Sequence, residues 1–420
     1  MMPLWTLASK SLWNRRGTAA LTFASLMLAT TLLIGVERLR EEARSGFYSA
    51  VSGTDLIVGA RTSPVQLLLA SVFGIGDVSA NVAYASYERI TRHPLVAWGI
   101  PIALGDSHRG FRVIGTSNAY PEHFRYGRGE ALSFAQGRWA TDLFDVVLGA
   151  GVASALGHEL DSKLVLSHGT QEISFANHEA LPFRVVGILE PTATPVDRAL
   201  YVSLEAIEAI HLGWESGVQL PGREIDAASA RAEQLEPASI TAFLLGLKSR
   251  VAVFRVQQGI NAYPNEALTA VLPAVAMQQF FSVVGIAEDA LLVVSAFVVL
   301  VGLAGMMTTL LAGLSERRRE MAILRAVGAR PWHVLALLSI ESLVLTTLSA
   351  VAGLACVQAL VFLLGPLFEA AVGVRLAAGL PSLREWALVG AIITAGTLVS
   401  LFPGILAYRR SLSDGLTVRV

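Results

Sequence analysis

Four long runs of apolar positions dominate the chain, and polar residues gather between them. Thr18 to Val36 is nearly free of charge, as are Ala290 to Leu314 and Trp386 to Tyr408. A fourth run, Trp332 to Leu364, is interrupted only by His333 and Glu341. Each meets the length of about 18 uncharged residues expected of a membrane helix. At about 1.5 Å per residue, a run of roughly 19 residues crosses most of a hydrocarbon core about 30 Å thick. Trp386 and Tyr408 sit at the two ends of the last run, where aromatic rings favour the membrane interface. The pattern therefore predicts spans at 18–36, 290–314, 332–364 and 386–408. They leave a lead-in helix at 1–17, a large domain at 37–289, a loop at 315–331, a short loop at 365–385 and a tail at 409–420.

Between the first two spans the pattern changes. "ERLREEAR" continues span one as a charged helix, and "NEALTAVLPAVAMQQFFSVVGIAED" reads as a helix leading into span two despite Pro273. The segments "TDLIV", "LVAWGIPIAL", "FRVIGT", "VVLG", "KLVLSH", "FRVVGIL", "ALYVS" and "ITAFLLGL" read as strands. They are rich in apolar residues that suit a sheet and are bounded by Gly, Pro or polar residues. "PVQLLLASVF", "SYERITRH", "GAGVASALG", "SLEAIEAIH" and "SRVAVFRVQQ" read as helices. Residues 213–238 lack strong periodicity and read as a long loop carrying one surface helix. The fold class is thus a membrane protein of four transmembrane helices, with a large mixed α/β domain between helices one and two.

Composition agrees with this picture and narrows it. Of 420 residues, 15% are charged and 53% hydrophobic, with a net charge of -1. That balance excludes the strongly basic surface of a nucleic-acid binder. The single cysteine, Cys356, falls inside an apolar span and cannot form an intramolecular disulfide. A cleaved secretory signal is disfavoured for span one, because its apolar core exceeds the usual length of about 7–15 residues and no A-x-A site follows. Basic residues orient the bundle. Arg317, Arg318, Arg319, Arg325 and Arg330 crowd the loop after span two, whereas Arg375 and Arg384 alone occupy the short loop after span three. By the positive-inside rule both termini and the arginine loop are cytoplasmic, and the large domain lies outside.

Lysine decides one function class. Nucleotide binding through a P-loop needs Lys directly after Gly. The only lysines, Lys10, Lys163 and Lys248, follow Ser9, Ser162 and Leu247. Any ATP and magnesium must therefore be bound by another polypeptide, and the chain is expected to bind no cofactor itself. No G-x-S-x-G or H-E-x-x-H motif is present, and no catalytic residue is assigned.

The arginine loop carries the sharpest local signal. Ser315 is a plausible N-cap, Glu316 lies in the first turn and Arg325 near the last, which suits the helix dipole. Met321, Leu324 and Val327 form an apolar stripe. Gly328 can end the helix and Pro331 can open the next. A helix of about a dozen residues is marginal alone in water, so it must dock. From the residues alone, an anionic lipid surface and a protein partner both remain open.

"SERRREMAILRAVGARPWHV" resembles the signature loop of the MacB/FtsX-type (type VII) permease family of ABC transporters, whose usual form is E-R-x-x-E-I-x-x-L-R-A-[LV]-G-A. Glu316, Arg317, Glu320, Ile323, Leu324, Arg325, Ala326, Gly328 and Ala329 fit it, with Met321 at a variable position. "LASKSLWNRRGTAALTF", "IESLVLTTLSAVAGLACVQAL" and "FPGILAYRRSLSDGLTVRV" are similar to the family's lead-in, third span and exit. "SGTDLIVGAR", "FRVIGTS", "GRWATDLFDVVLGAGVASALG" and "FRVVGILEPTATPVDRALYVSLEAI" are more loosely similar to its periplasmic core domain. The resemblance implies a coupling helix seated in a cleft of a separate ATPase subunit, contacted through Glu316, Arg317, Glu320, Met321, Ile323, Leu324, Arg325, Val327 and Gly328. It further implies two copies of this chain with two ATPase subunits in the bacterial inner membrane. The periplasmic domain is expected to divide into a porter-like part at 47–120 and 238–285 and an inserted part at 121–237. Two departures stand out: the chain lacks the fused ATPase of the macrolide exporters, and "HELDSK" replaces the usual Gly-Asp turn after "VASALG".

The implied role is mechanotransmission, most simply for export or extraction of a periplasmic or outer-leaflet substrate. A non-transporting regulator of a periplasmic partner such as a cell-wall hydrolase is a second reading. A zinc-related system is a third, drawn from His158, His168 and His178. Their spacing of ten fits no compact ligand motif, and scattered surface histidines are common. Glu341 is a functional candidate because intramembrane carboxylates are costly; its simplest role is a hydrogen bond inside the bundle.

Overall fold

The computed structural model describes residues 13, 15–76, 78, 80–168, 181–212, 227–233, 235–316, 330–372 and 379–413. The chain divides into two compact units. The first comprises residues 1–42, 285–365 and 376–420, and the second residues 43–284 and 366–375.

Among the described residues, four helices are long and apolar enough to cross a membrane: Arg16–Ser49, Pro273–Gly313, Leu335–Leu367 and Leu383–Ile405. Inside the first unit they bury Leu26, Ile34, Leu303, Met306, Leu354, Val357 and Ile392 in one cluster. Large apolar side chains such as Leu21, Val301 and Phe362 point outward, as lipid-facing positions do. Small residues set the helix spacing. A Cβ on Gly353 would meet Thr30 Cβ at 2.7 Å and the Met27 carbonyl at 2.9 Å, so spans one and three approach almost backbone to backbone. A Cβ on Gly396 would run into the Thr346 side chain, so spans four and three also meet closely. Thr30 returns its hydroxyl to the Leu26 carbonyl, and Thr346 to that of Ser342, which leaves no polar atom of either facing lipid.

Among the described residues, the second unit holds two large sheets and two two-stranded ones, Val82–Ala83 with Ser239–Ile240 and Arg125–Tyr126 with Glu130–Ala131. The first is antiparallel, in the order Leu268–Val271, Leu56–Ala60, Ala242–Leu247, Val96–Ile102. Alternation sorts its side chains: Leu56, Val58, Phe243 and Leu245 enter one core with Tyr87 and Ile260, while Ile57, Ala242 and Leu244 face another. The second sheet runs Lys163–Leu164, Phe183–Leu189, Asp145–Leu148, Ala199–Ser203, Phe111–Thr116, Asp106–His108, Ser167–His168, with Phe134–Gly137 paired to Phe183–Leu189. It is mixed, with parallel pairings of Phe183–Leu189 to Asp145–Leu148 and of Ala199–Ser203 to Phe111–Thr116. A cluster containing Ile57, Ile100 and Leu244 from one sheet and Val147, Leu189 and Tyr201 from the other joins them. The fully buried Tyr201 hydroxyl accepts from that of Tyr120 at 3.3 Å.

Side-chain caps mark two of the helix starts. Ser63 accepts from the Gln66 amide ahead of Pro64–Ser71, and Ser203 from the Ala206 amide ahead of Leu204–His211. In "HELDSK", Asp161 takes the left-handed conformation, φ 65°, that the usual Gly would supply. The helix expected to lead into span two is a correction. Leu268–Val271 is a strand, with Ile57 opposite Val271, and the helix begins only at Pro273. Proline disfavours helical geometry in the residue before it and suits the first turn, so Pro273 opens the helix instead of interrupting it. Within 213–238, the described part contains the helix Ala227–Ala232.

Candidate functional site

Arg317, Glu320, Met321, Ile323, Leu324, Arg325, Val327 and Gly328 lie outside the described residues, as does the side chain of Glu316. The flanks are described. One helix is described as far as Glu316, and the next starts at Pro331. The Arg330 amide donates to His333 Nδ1 at 3.0 Å, and the His333 ring stacks on Trp332 with centroids 3.8 Å apart. His333, in the sequence only an interruption of span three, thus caps the helix that follows the loop. At the same end of the bundle, Arg15 donates to the Gly313 carbonyl at 3.1 Å. A cation on one of the last carbonyls of a helix is favourable, and it ties the start of span one to the end of span two.

Glu341, 2% exposed, lines a cavity of about 40 Å³ with Arg15, Thr22, Thr309 and Ser342. Thr22 donates to Thr309 at 3.4 Å across spans one and two. Polar side chains of spans one, two and three therefore meet near Arg15, inside an otherwise apolar bundle.

The opposite end carries a second polar assembly. Ser382 and Glu385 form a reciprocal capping box at the start of span four. The Ser382 amide donates to Glu385 Oε2 at 2.7 Å, and the Glu385 amide donates to Ser382 Oγ at 3.2 Å. The other carboxylate oxygen accepts from Arg38 at 3.2 Å, and the two side chains are 7% and 3% exposed. Two turns of span one around Arg38 bear more charge. Arg40 reaches Glu288 at 3.0 Å and Asp289 at 3.4 Å on span two, and Arg384 reaches Glu41 at 3.3 Å and Glu37 at 3.5 Å. Spans one, two and four are joined by this collar. The S-x-x-E box was readable before the apolar run of span four. The partner of Glu385 was not, because Arg38 lies 347 residues away.

The histidines fall differently from their spacing. His158 Nε2 lies 3.1 Å from Nε2 of His108, a residue outside the original trio. His108 Nδ1 lies 2.7 Å from the Val165 carbonyl, so Nδ1 carries the proton and Nε2 faces His158. Burial holds both imidazoles below the usual histidine range, and the nearby Arg109 charge adds to this. The backbone of His168 pairs with that of Asp106, and His178 lies outside the described residues. Among the described residues, no group of three or more His, Cys, Asp or Glu is placed to hold a metal ion.

A family model described as the MacB-like periplasmic core domain matches residues 19–263, and one described as the FtsX-like permease C-terminal region matches residues 292–416. No curated protein matches the sequence. Among solved structures, the chain is similar to the periplasmic region of MacB from Actinobacillus actinomycetemcomitans. Identity is 12% and TM-score 0.32, over 56% of this chain and 97% of that one. It is also similar to the extracellular domain of the noncanonic ABC-type transporter YknZ from Gram-positive bacteria. There identity is 11% and TM-score 0.30, over 51% of this chain and 98% of that one.

Proposed function

Because the chain belongs to the MacB/FtsX-type family of ABC transporter permeases, we propose that it transmits motion from a separate ATPase to its periplasmic domain, for export or extraction of a periplasmic or outer-leaflet substrate. The observation that carries this reading is helix continuity. Arg16–Ser49 has 34 residues and Pro273–Glu316 has 44, and each continues unbroken past its membrane span. At about 1.5 Å per residue, 44 residues reach about 66 Å, twice the hydrocarbon thickness. Such a helix can pass on displacement along its axis without a hinge.

In this mechanism the ATPase binds ATP and magnesium and closes. It pulls on Arg317 to Val327, whose arginines and apolar stripe seat in the ATPase. The Arg15–Gly313 contact and the polar cluster around Glu341 make spans one, two and three respond together. At the far end, the Arg38–Glu385 and Arg40–Glu288 pairs keep spans one, two and four in register, and the two extended helices carry the stroke into the periplasmic domain. Two copies of the chain act with two ATPase subunits in the inner membrane, termini and coupling loop inside.

The test is co-purification with its partner ATPase subunit. Removing residues 317–327, or the single change Leu324→Glu, should reduce recovery of the ATPase at least tenfold while the chain still inserts. Unchanged recovery would refute the docking site.

A further inference from the structure

Two imidazoles meet end to end beside the second large sheet, and the mechanism above uses neither. His108 Nε2 and His158 Nε2 are 3.1 Å apart. Their ring centroids are 5.3 Å apart, a separation larger than that of the nitrogens by nearly two ring radii. Each Nε2 therefore lies close to the line joining the ring centres, and the two face each other along it.

The fold fixes one ring and leaves the other adjustable. His108 is buried at the end of the strand Asp106–His108. It pairs with Phe111 across the two-residue turn of Arg109 and Gly110, whose φ values of 46° and 84° are both positive, as a type I′ hairpin requires. Its Nδ1 donates to the Val165 carbonyl at 2.7 Å, which sets the tautomer and leaves the lone pair on Nε2. His158 is half-buried and follows Gly157, whose left-handed φ of 65° ends the helix Ala150–Leu156. Without a metal, one N–H···N hydrogen bond joins the rings, with His158 donating. Burial holds both imidazoles below the usual histidine range, so both are neutral, as ligands must be, near pH 7.

A closed-shell monovalent ion such as Cu⁺ or Ag⁺ accepts two nitrogen ligands in a line, as the shared proton does. A tetrahedral ion needs lone pairs that converge at about 109° and two further ligands. Among the described residues, no third His, Cys, Asp or Glu is placed to supply one. With metal–nitrogen bonds of about 2 Å, a linear site needs the nitrogens about 4 Å apart, so the rings must part by about 1 Å. The turn that carries His158 can move that far while His108 stays on its carbonyl. The Arg109 charge acts on both rings and opposes a dication about twice as strongly as a monocation. We propose that His108 and His158 form a two-coordinate site for a monovalent copper-type cation on the periplasmic domain. On binding, the cation takes the place of the proton between the two Nε2 atoms. His158 changes tautomer by exchange with water, its proton passing to Nδ1, so no net proton is released. Binding needs no ATPase and stands apart from the coupling reading.

The experiment uses the full chain in nanodiscs of phosphatidylcholine, without ATPase, in chloride-free buffer near neutral pH. Ag⁺ is the probe, because it shares the linear geometry of Cu⁺ and does not oxidise in air. Every protein carries C356S, which removes the thiol as a competing ligand. Titration calorimetry should show one Ag⁺ per chain in this parent that H108N and H158N lose, or bind roughly tenfold or more weakly. H93N, at an exposed position beside the other large sheet, should keep it. H158N changes a residue on a surface turn and should stay folded, so it reports on the site even where H108N does not fold. Zn²⁺ should bind the parent roughly tenfold or more weakly than Ag⁺. Equal Ag⁺ binding by the parent and H158N, or histidine-dependent binding of Zn²⁺ that is tighter than that of Ag⁺, would overturn the proposal.

Discussion

Glu385 accepts the Ser382 amide with one oxygen and Arg38 with the other, so a single carboxylate both starts span four and fixes it to span one. Breaking a buried pair from one side leaves a charge without compensation, at a cost of about 3–5 kcal/mol. Arg38→Met or Glu385→Gln alone should therefore destabilise the chain by up to about that amount. The double change Arg38→Met with Glu385→Gln, which keeps the capping box, should cost clearly less than the sum. Thermal unfolding in nanodiscs reads both. The His108–His158 pair makes a pH prediction. Their folded values lie below the ordinary imidazole value, so the unfolded chain binds protons first as pH falls. The stability they contribute is complete above about pH 6.5 and is lost as pH falls from there through the folded values. Tryptophan-monitored melts of wild type should drop across that window, and those of His108→Asn should drop less. An equal pH dependence in the two would remove these histidines as the cause.

At the level of elements, small residues govern how the spans meet. Gly353 lets span three rest on Thr30 and the Met27 carbonyl, where any side chain must displace backbone. Gly353→Val should cost about 1–3 kcal/mol through overpacking, or separate spans one and three. Gly305→Ala, with nothing within 4 Å of the added atom, should be neutral in the same melt. Elements also differ in how legible they were. The spans and most strands followed from local composition, because a long uncharged run marks a span and a short apolar run bounded by Gly, Pro or polar residues marks a strand. Leu268–Val271 was misread as helix because a short apolar run next to a real helix looks helical until a partner strand is known. That partner, Leu56–Ala60, lies over two hundred residues earlier.

For the whole molecule, the family assignment makes this chain one of the ABC permease subunits, which work with an ATPase. The purified chain alone should show no ATP hydrolysis above a mock preparation, and activity should appear on adding the ATPase subunit. Native mass spectrometry of that complex should give two copies of each. Hydrolysis by the isolated chain would mean that the nucleotide site has been placed in the wrong polypeptide.

The sequence by itself determined what depends on composition and near neighbours: four spans, an α/β domain between the first two, an arginine loop of the family's form and no lysine placed for a P-loop. Each is written in contiguous residues, so one local pattern suffices. Tertiary structure decided what depends on distant residues meeting. It paired Arg38 with Glu385 and His108 with His158, and put Leu268–Val271 into a sheet. The physical reason is that charge and shape complementarity act through space, and neither composition nor periodicity records which remote positions the fold will bring within a few ångströms.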